Sequence, residues 1–176
     1  MEDFLSIEFE PRDFFVSFFK TSKAVLLSPK VFYQGMRKEG GFPKPFLYML
    51  CCVSFHVLLF GLLQKNPGLM LKTLFLGMVF PFMTAGILFL IVTQLFKATG
   101  SYEAAFRVNA YASAVNLVTW LPLVGLLFEL YRIYLIVVGL SAAFSLKMTR
   151  SLLAVVLTMA VYVMAAAGIA QFTGGH

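Results

Sequence analysis

Residues 99–140 read TGSYEAAFRVNAYASAVNLVTWLPLVGLLFELYRIYLIVVGL, and the assignment of this stretch decides the fold. It is apolar enough to sit in a bilayer. It also carries Arg107, Asn109, Asn116, Glu129 and Arg132, groups that are costly in hydrocarbon and turn toward a bundle interior when they occur there. Asn109, Ser113 and Asn116 share one stripe at helical spacing, and Arg107, Tyr111 and Ala114 share a neighbouring one. The pattern predicts two spanning helices, 104–121 and 124–146, joined by the apolar turn Leu121-Pro122-Leu123-Val124-Gly125. Ser101 is placed to cap the first helix, with Glu103 in its first turn. Arg107 lies four residues after Glu103, where the two pair at the membrane edge. On the second helix Glu129 and Arg132 share a face that continues through Ile136, Gly139 and Ala143, small enough for close packing.

Outward from this hairpin, the whole chain has the composition of a membrane protein. Of its 176 residues, 60% are hydrophobic and 12% charged, too little polar surface to cover a water-soluble globule. Three further apolar runs are long enough to cross a hydrocarbon core of about 30 Å: 46–64, 73–96 and 152–172. Pro81 interrupts the second, freeing the carbonyl of Gly77 and bending the helix, with Thr84 close in sequence to compensate. His56 sits near the middle of the first. It has no second His or Cys at ligand spacing, so it is expected to be neutral and bonded to a neighbouring helix rather than to be a proton relay. Cys51 and Cys52 are adjacent, which suits neither a disulfide nor a metal site.

The 45 residues before these runs differ in character. Pro11 is placed to open a helix, and Phe14, Phe15, Phe18, Phe19 and Leu26 recur at helical spacing among Arg12, Lys20 and Lys23. The segment predicts an amphipathic helix lying flat in the membrane interface. Ser28-Pro29 would start a second short helix to about Lys38, with Val31, Phe32 and Met36 as its buried side, ended by Glu39-Gly40-Gly41. Arg12, Lys20, Lys23, Lys30, Arg37, Lys38 and Lys44 all precede the first apolar run. They predict a cytoplasmic segment facing anionic lipid, with the N-terminus inside and the C-terminus outside. Their interleaving with Phe and Val argues against nucleic acid as a partner. The acidic start, and the distance to the first apolar run, leave no place for a cleavable signal.

Little in the sequence suggests chemistry. There is no HExxH, CxxC, glycine-rich phosphate loop or GxSxG. No catalysis, cofactor or metal is expected. The candidate polar cluster is Glu129, Arg132, Arg107, Asn109, Asn116, Tyr111 and His56. Glu129 and Arg132 have two readings of equal standing: a pair that holds one helix against another, or the wall of a pocket for a headgroup, ion or partner helix.

Several short motifs point to a family. Gly100-Ser101-Tyr102, Ala110-Tyr111-Ala112-Ser113, Leu121-Pro122-Leu123-Val124-Gly125 and Val138-Gly139-Leu140 together resemble the Yip domain family of Ypt/Rab-interacting proteins. Ser28-Pro29-Lys30, followed by Val31-Phe32, resembles the stretch that precedes the spans in prokaryotic members. The resemblance implies five spans with a cytoplasmic N-terminus, and in eukaryotes a role in vesicle trafficking with small GTPases. The long polar N-terminal tail of the eukaryotic proteins has no counterpart here, so GTPase and coat binding are not carried over.

The combined expectation is an all-α protein, a polytopic membrane helical bundle of five transmembrane helices preceded by one or two amphipathic interfacial helices. Residues 1–45 would form the interfacial segment, 46–172 the five-helix domain and 173–176 a short tail. The expected role is a membrane scaffold of the prokaryotic inner (plasma) membrane. Its partners would be the bilayer, anionic lipids, other proteins and a second copy of the chain. The alternative is a small transporter or channel using the polar residues of spans 1, 3 and 4.

Overall fold

A computed structural model describes residues 8–65, 67–119 and 125–173, and every described element is helical. A 3-10 turn at Pro11–Asp13 leads into α1 (Phe14–Leu27) and α2 (Pro29–Gly35). Then come α3 (Pro43–Gln64) and α4 (Pro67–Leu90), which is extended by a π turn at Ile91–Leu95. α5 (Tyr102–Ala112) continues as a 3-10 turn over Ser113–Leu117, and α6 (Gly125–Ala143) and α7 (Met148–Thr173) follow. The turn expected at 121–125 and the tail at 174–176 lie outside the described residues, apart from Gly125 itself.

Four helices are long and apolar enough to cross a membrane: Pro43–Leu62, Gly68–Leu95, Gly125–Ala143 and Met148–Gly168. The expected third span is different in kind. α5 has 11 residues before the backbone tightens into its 3-10 turn. Every residue from Ala104 to Val115 is buried. Alanines at 104, 105, 110, 112 and 114 let neighbours approach from all sides, so α5 is the axis of the bundle rather than one of its lipid-facing staves. α3, α4 and α6 pack around it, and α7 packs on α4 and α6.

Close approach is enforced where side chains are absent. A Cβ on Gly139 of α6 would stand 2.5 Å from Val108 Cγ1 and 3.1 Å from the Tyr33 ring. Gly77 of α4 lies equally tight on Val53 of α3, and Gly100 on Phe144. At Pro81 the compensation differs from the expected one. The Thr84 hydroxyl lies 2.8 Å from the carbonyl of Phe80, not Gly77, and 2.8 Å from the Tyr162 hydroxyl of α7.

The N-terminal segment packs against the bundle on one side. The Tyr131 hydroxyl, seven residues into α6, donates to the Leu26 carbonyl at 2.6 Å. α1 also packs on the 3-10 turn after α5. The corner at Ser28 therefore sits beside the body of the bundle, and α2 returns along α6, where Phe32, Tyr33 and Met36 are buried. Tyr33 donates to the Val108 carbonyl at 3.3 Å. Phe14 and Phe18 of α1 turn inward, whereas Phe15, Val16 and Phe19 are about three-quarters exposed. Pro29 occupies the first turn of α2 as expected, but the Ser28 side chain makes no capping bond.

Candidate functional site

The polar residues singled out in the sequence fall into two groups at different places. The first surrounds Arg107. The Ser101 side chain accepts from the Ala104 N–H at 3.2 Å and starts α5 as predicted. This sets Glu103 and Arg107 one turn apart, and they pair at 3.4 Å. Arg107 is almost wholly buried (1% exposed), and a charge so buried needs close partners beyond the 3.4 Å contact with Glu103, whose side chain is 18% exposed. The balance comes from Glu8, whose Oε2 lies 2.6 Å from Arg107 Nη2. Glu8 Oε1 accepts from the Arg37 backbone N–H at 2.7 Å. Arg107 Nη1 also donates to the Gly41 carbonyl at 3.1 Å, and the Gly41 N–H donates to Glu103 at 2.7 Å. Gly40 and Gly41 have φ of 147° and 88°, which lets the loop wrap the guanidinium.

The residues beside Glu8 complete a strap. Phe9 is fully buried, edge-on to Phe14 at 5.5 Å and 5.8 Å from Tyr48. Tyr48 in turn stands 5.3 Å from Tyr111, which also meets Phe32 at 5.0 Å. Tyr111 is thus a packing residue of this cluster. Glu10 pairs with Lys44 at 2.6 Å at the surface, and that hydrogen bond holds its carboxyl below the ordinary value of 4.5. Sequence reasoning missed the strap. Its cue was the alternation of Glu8, Phe9 and Glu10, with the acids and the ring on opposite sides of an extended chain.

The second group lines a groove. α4 and α6 have no extensive contact, and α5 with its 3-10 turn forms the floor between them. One cleft of about 380 Å³ is lined by His56, Thr73, Asn116, Thr119, Glu129 and Arg132, with Phe80 and Pro81 among the apolar residues. A second, of about 330 Å³, shares Phe80, Glu129 and Arg132 and continues between α4, α6 and α7 past Asn109, Leu88, Ile136 and Val155. His56, Asn109, Asn116, Glu129 and Arg132 therefore converge, and Arg107 and Tyr111 stand apart from them. His56 Nδ1 is 3.2 Å from the Thr119 hydroxyl, and its ring stacks on Phe60. Asn109 donates to the Ala105 carbonyl at 3.0 Å, along its own helix.

Glu129 and Arg132 are only loosely associated, at 3.9 Å, with side chains 52% and 26% exposed. Cys51 and Cys52 are free thiols. Among the described residues no three His, Cys, Asp or Glu side chains gather where they could hold a metal.

An all-helical chain with four long apolar helices around a buried polar one is a multi-pass integral membrane protein. Its sequence matches the Yip1 domain over residues 23–170, nearly all of the helical body, and the chain belongs to that family. No curated protein and no solved structure matches it.

Proposed function

We propose that this Yip1-domain protein is a non-catalytic membrane scaffold that acts through protein and lipid contacts. The observation that carries this reading is the filled centre of the bundle. α5 is buried from Ala104 to Val115, and the polar side chains of Asn109 and Ser113 are spent on carbonyls of their own helix. A packed axis of this kind suits a body that presents surfaces rather than one that conducts through itself.

On this reading α5 and its 3-10 turn make the fifth crossing. Their 16 residues, Tyr102–Leu117, extend roughly 26 Å, close to a hydrocarbon thickness. Five crossings place Lys97, Lys147 and Arg150 on the side of the basic N-terminal segment, which supports a cytoplasmic N-terminus and an outer C-terminus. The exposed Phe15, Val16 and Phe19 beside Lys20 and Lys23 would embed in lipid while the lysines reach anionic headgroups. The exposed Ala165, Ala166 and Ala167 of α7 offer a face to a partner helix or a second copy.

Photo-crosslinkers placed on the exposed faces of α1 and α7 in native membranes should trap discrete protein or lipid adducts, with no solute flux in proteoliposomes. The transporter reading is favoured by one observation, the convergence of His56, Asn116, Glu129 and Arg132 in a cleft. Flux that Glu129→Gln abolishes without unfolding the protein would replace the scaffold reading with it.

A further inference from the structure

The groove between α4 and α6 has the polarity of a lipid along its length. Toward the ends of the helices that meet the α3–α4 connection it is lined by His56, Thr73, Thr119, Glu129 and Arg132. Deeper, Leu88, Ile133, Ile136, Val155 and Met159 make most of the lining, and the polar groups among them, Thr84, Asn109 and Thr158, are already bonded to carbonyls of their own helices. The two parts are continuous through Phe80, Glu129 and Arg132. The deep part lies alongside the apolar lengths of α4, α6 and α7, which suits an acyl chain, and the polar part opens near the helix ends, which suits a headgroup.

The charged pair selects the headgroup. Among the described residues Arg132 makes no hydrogen bond, and its nearest anion is the Glu129 carboxylate at 3.9 Å, beyond hydrogen-bond reach. A guanidinium has five N–H donors, and leaving them unfilled in an apolar site is costly. Among the described residues the Glu129 carboxylate accepts no hydrogen bond either. The pair presents one fixed cation and one fixed anion a few ångströms apart, flanked by the His56–Thr119 pair. That is the complement of a group carrying a phosphate and a primary ammonium.

We propose that the groove holds one phospholipid of the phosphatidylethanolamine class, its phosphate on Arg132, its ammonium on Glu129 and an acyl chain along Ile133 and Ile136 toward Val155. The site does not rest on the scaffold reading, since a scaffold or a carrier could equally hold such a lipid. Three features set the selectivity. A guanidinium binds phosphate of any phospholipid through paired N–H donors. The carboxylate adds an attraction for the ammonium and a repulsion toward anionic headgroups. The apolar channel rejects the headgroup alone.

The test is native mass spectrometry of the full-length protein, delipidated in detergent and titrated separately with phosphatidylethanolamine, phosphatidylglycerol and chain-free phosphoethanolamine. The wild type should retain one phosphatidylethanolamine per chain, at least about tenfold more tightly than phosphatidylglycerol. Arg132→Gln should weaken both lipids by about tenfold or more. Glu129→Gln should erase the preference between them while leaving phosphatidylglycerol bound as well or better. Ile136→Trp keeps both charges and fills the deep end of the groove, so it should expel the lipid even if a charge variant fails to fold. Equal binding of the two lipids by the wild type would overturn the proposal. So would retention of phosphatidylethanolamine by Ile136→Trp, or binding of free phosphoethanolamine as tight as that of the lipid, which would assign the site to a soluble zwitterion.

Discussion

Glu8→Gln isolates what the strap contributes. In the native protein Glu8 gives one oxygen to Arg107 at 2.6 Å and the other to the Arg37 N–H at 2.7 Å. The glutamine keeps an acceptor but loses the charge on a contact to a buried guanidinium, and hydrogen bonds to charged groups contribute about 1.5–3 kcal/mol. The Glu8 side chain is 16% exposed, which favours the lower end, near 1.5 kcal/mol. Arg107 keeps Glu103 and the Gly41 carbonyl, so the bundle stays folded and the loss falls on docking of the N-terminal segment. A change of about 1.4 kcal/mol is tenfold in an opening equilibrium. Hydrogen exchange followed by mass spectrometry in micelles should show α1 amides exchanging about tenfold faster, with α3 and α7 unchanged. Arg107→Leu is the contrasting perturbation. It leaves Glu8 and Glu103 without their cation and should lower stability of the whole bundle by about 3 kcal/mol. Exchange in α1 that stays within about twofold of wild type in Glu8→Gln would refute the reasoning.

Other outcomes follow from single contacts. Gly139→Ala should destabilise by about 1–3 kcal/mol in denaturation measured in detergent, because its Cβ would meet Val108 Cγ1 at 2.5 Å. Gly168→Ala, within α7 where nothing lies within 4 Å, should not destabilise in the same assay and should gain up to about 1 kcal/mol from helix propensity. Tyr33→Phe removes a long buried hydrogen bond to the Val108 carbonyl and should cost about 1 kcal/mol. For Glu10 the depressed carboxyl pKa means that its pairing with Lys44 stabilises the fold above pH 4.5 and fades as pH falls through the lowered value. A carboxyl-detected NMR titration should find Glu10 titrating below 4.5 in the wild type and returning to it in Lys44→Gln.

The long apolar helices were legible because hydrophobic length is a local property, and α3, α4, α6 and α7 fall close to the runs read from sequence. The Glu103–Arg107 pair and the Ser101 cap were legible for the same reason, since their partners lie three or four residues apart. The alignment of His56, Asn116, Glu129 and Arg132 followed from the rule that polar groups in apolar helices turn inward. Tyr111 and Arg107 were grouped with them only by stripe, and each faces the N-terminal segment instead. For the amphipathic helix α1, periodicity shows an apolar side but not what covers each part of it. Phe14 and Phe18 meet protein, whereas Phe15 and Phe19 do not. The placement of α5 inside the bundle was legible from its polar stripes, whereas its short α-helical length and 3-10 ending were not.

The contact between Glu8 and Arg107 joins residues 99 positions apart, so it can form only once α5 has been made. When the N-terminal segment leaves the ribosome, its buried cation does not yet exist. Translation at about 5–20 residues per second leaves it waiting roughly 5–20 s. During that interval Phe9, Phe14 and Phe18 have only the membrane surface for shelter, and the basic residues around them hold the segment there. α5 arrives after α3 and α4 with an arginine that hydrocarbon would reject. A carboxylate already at the membrane surface is then available to receive that charge as the bundle closes.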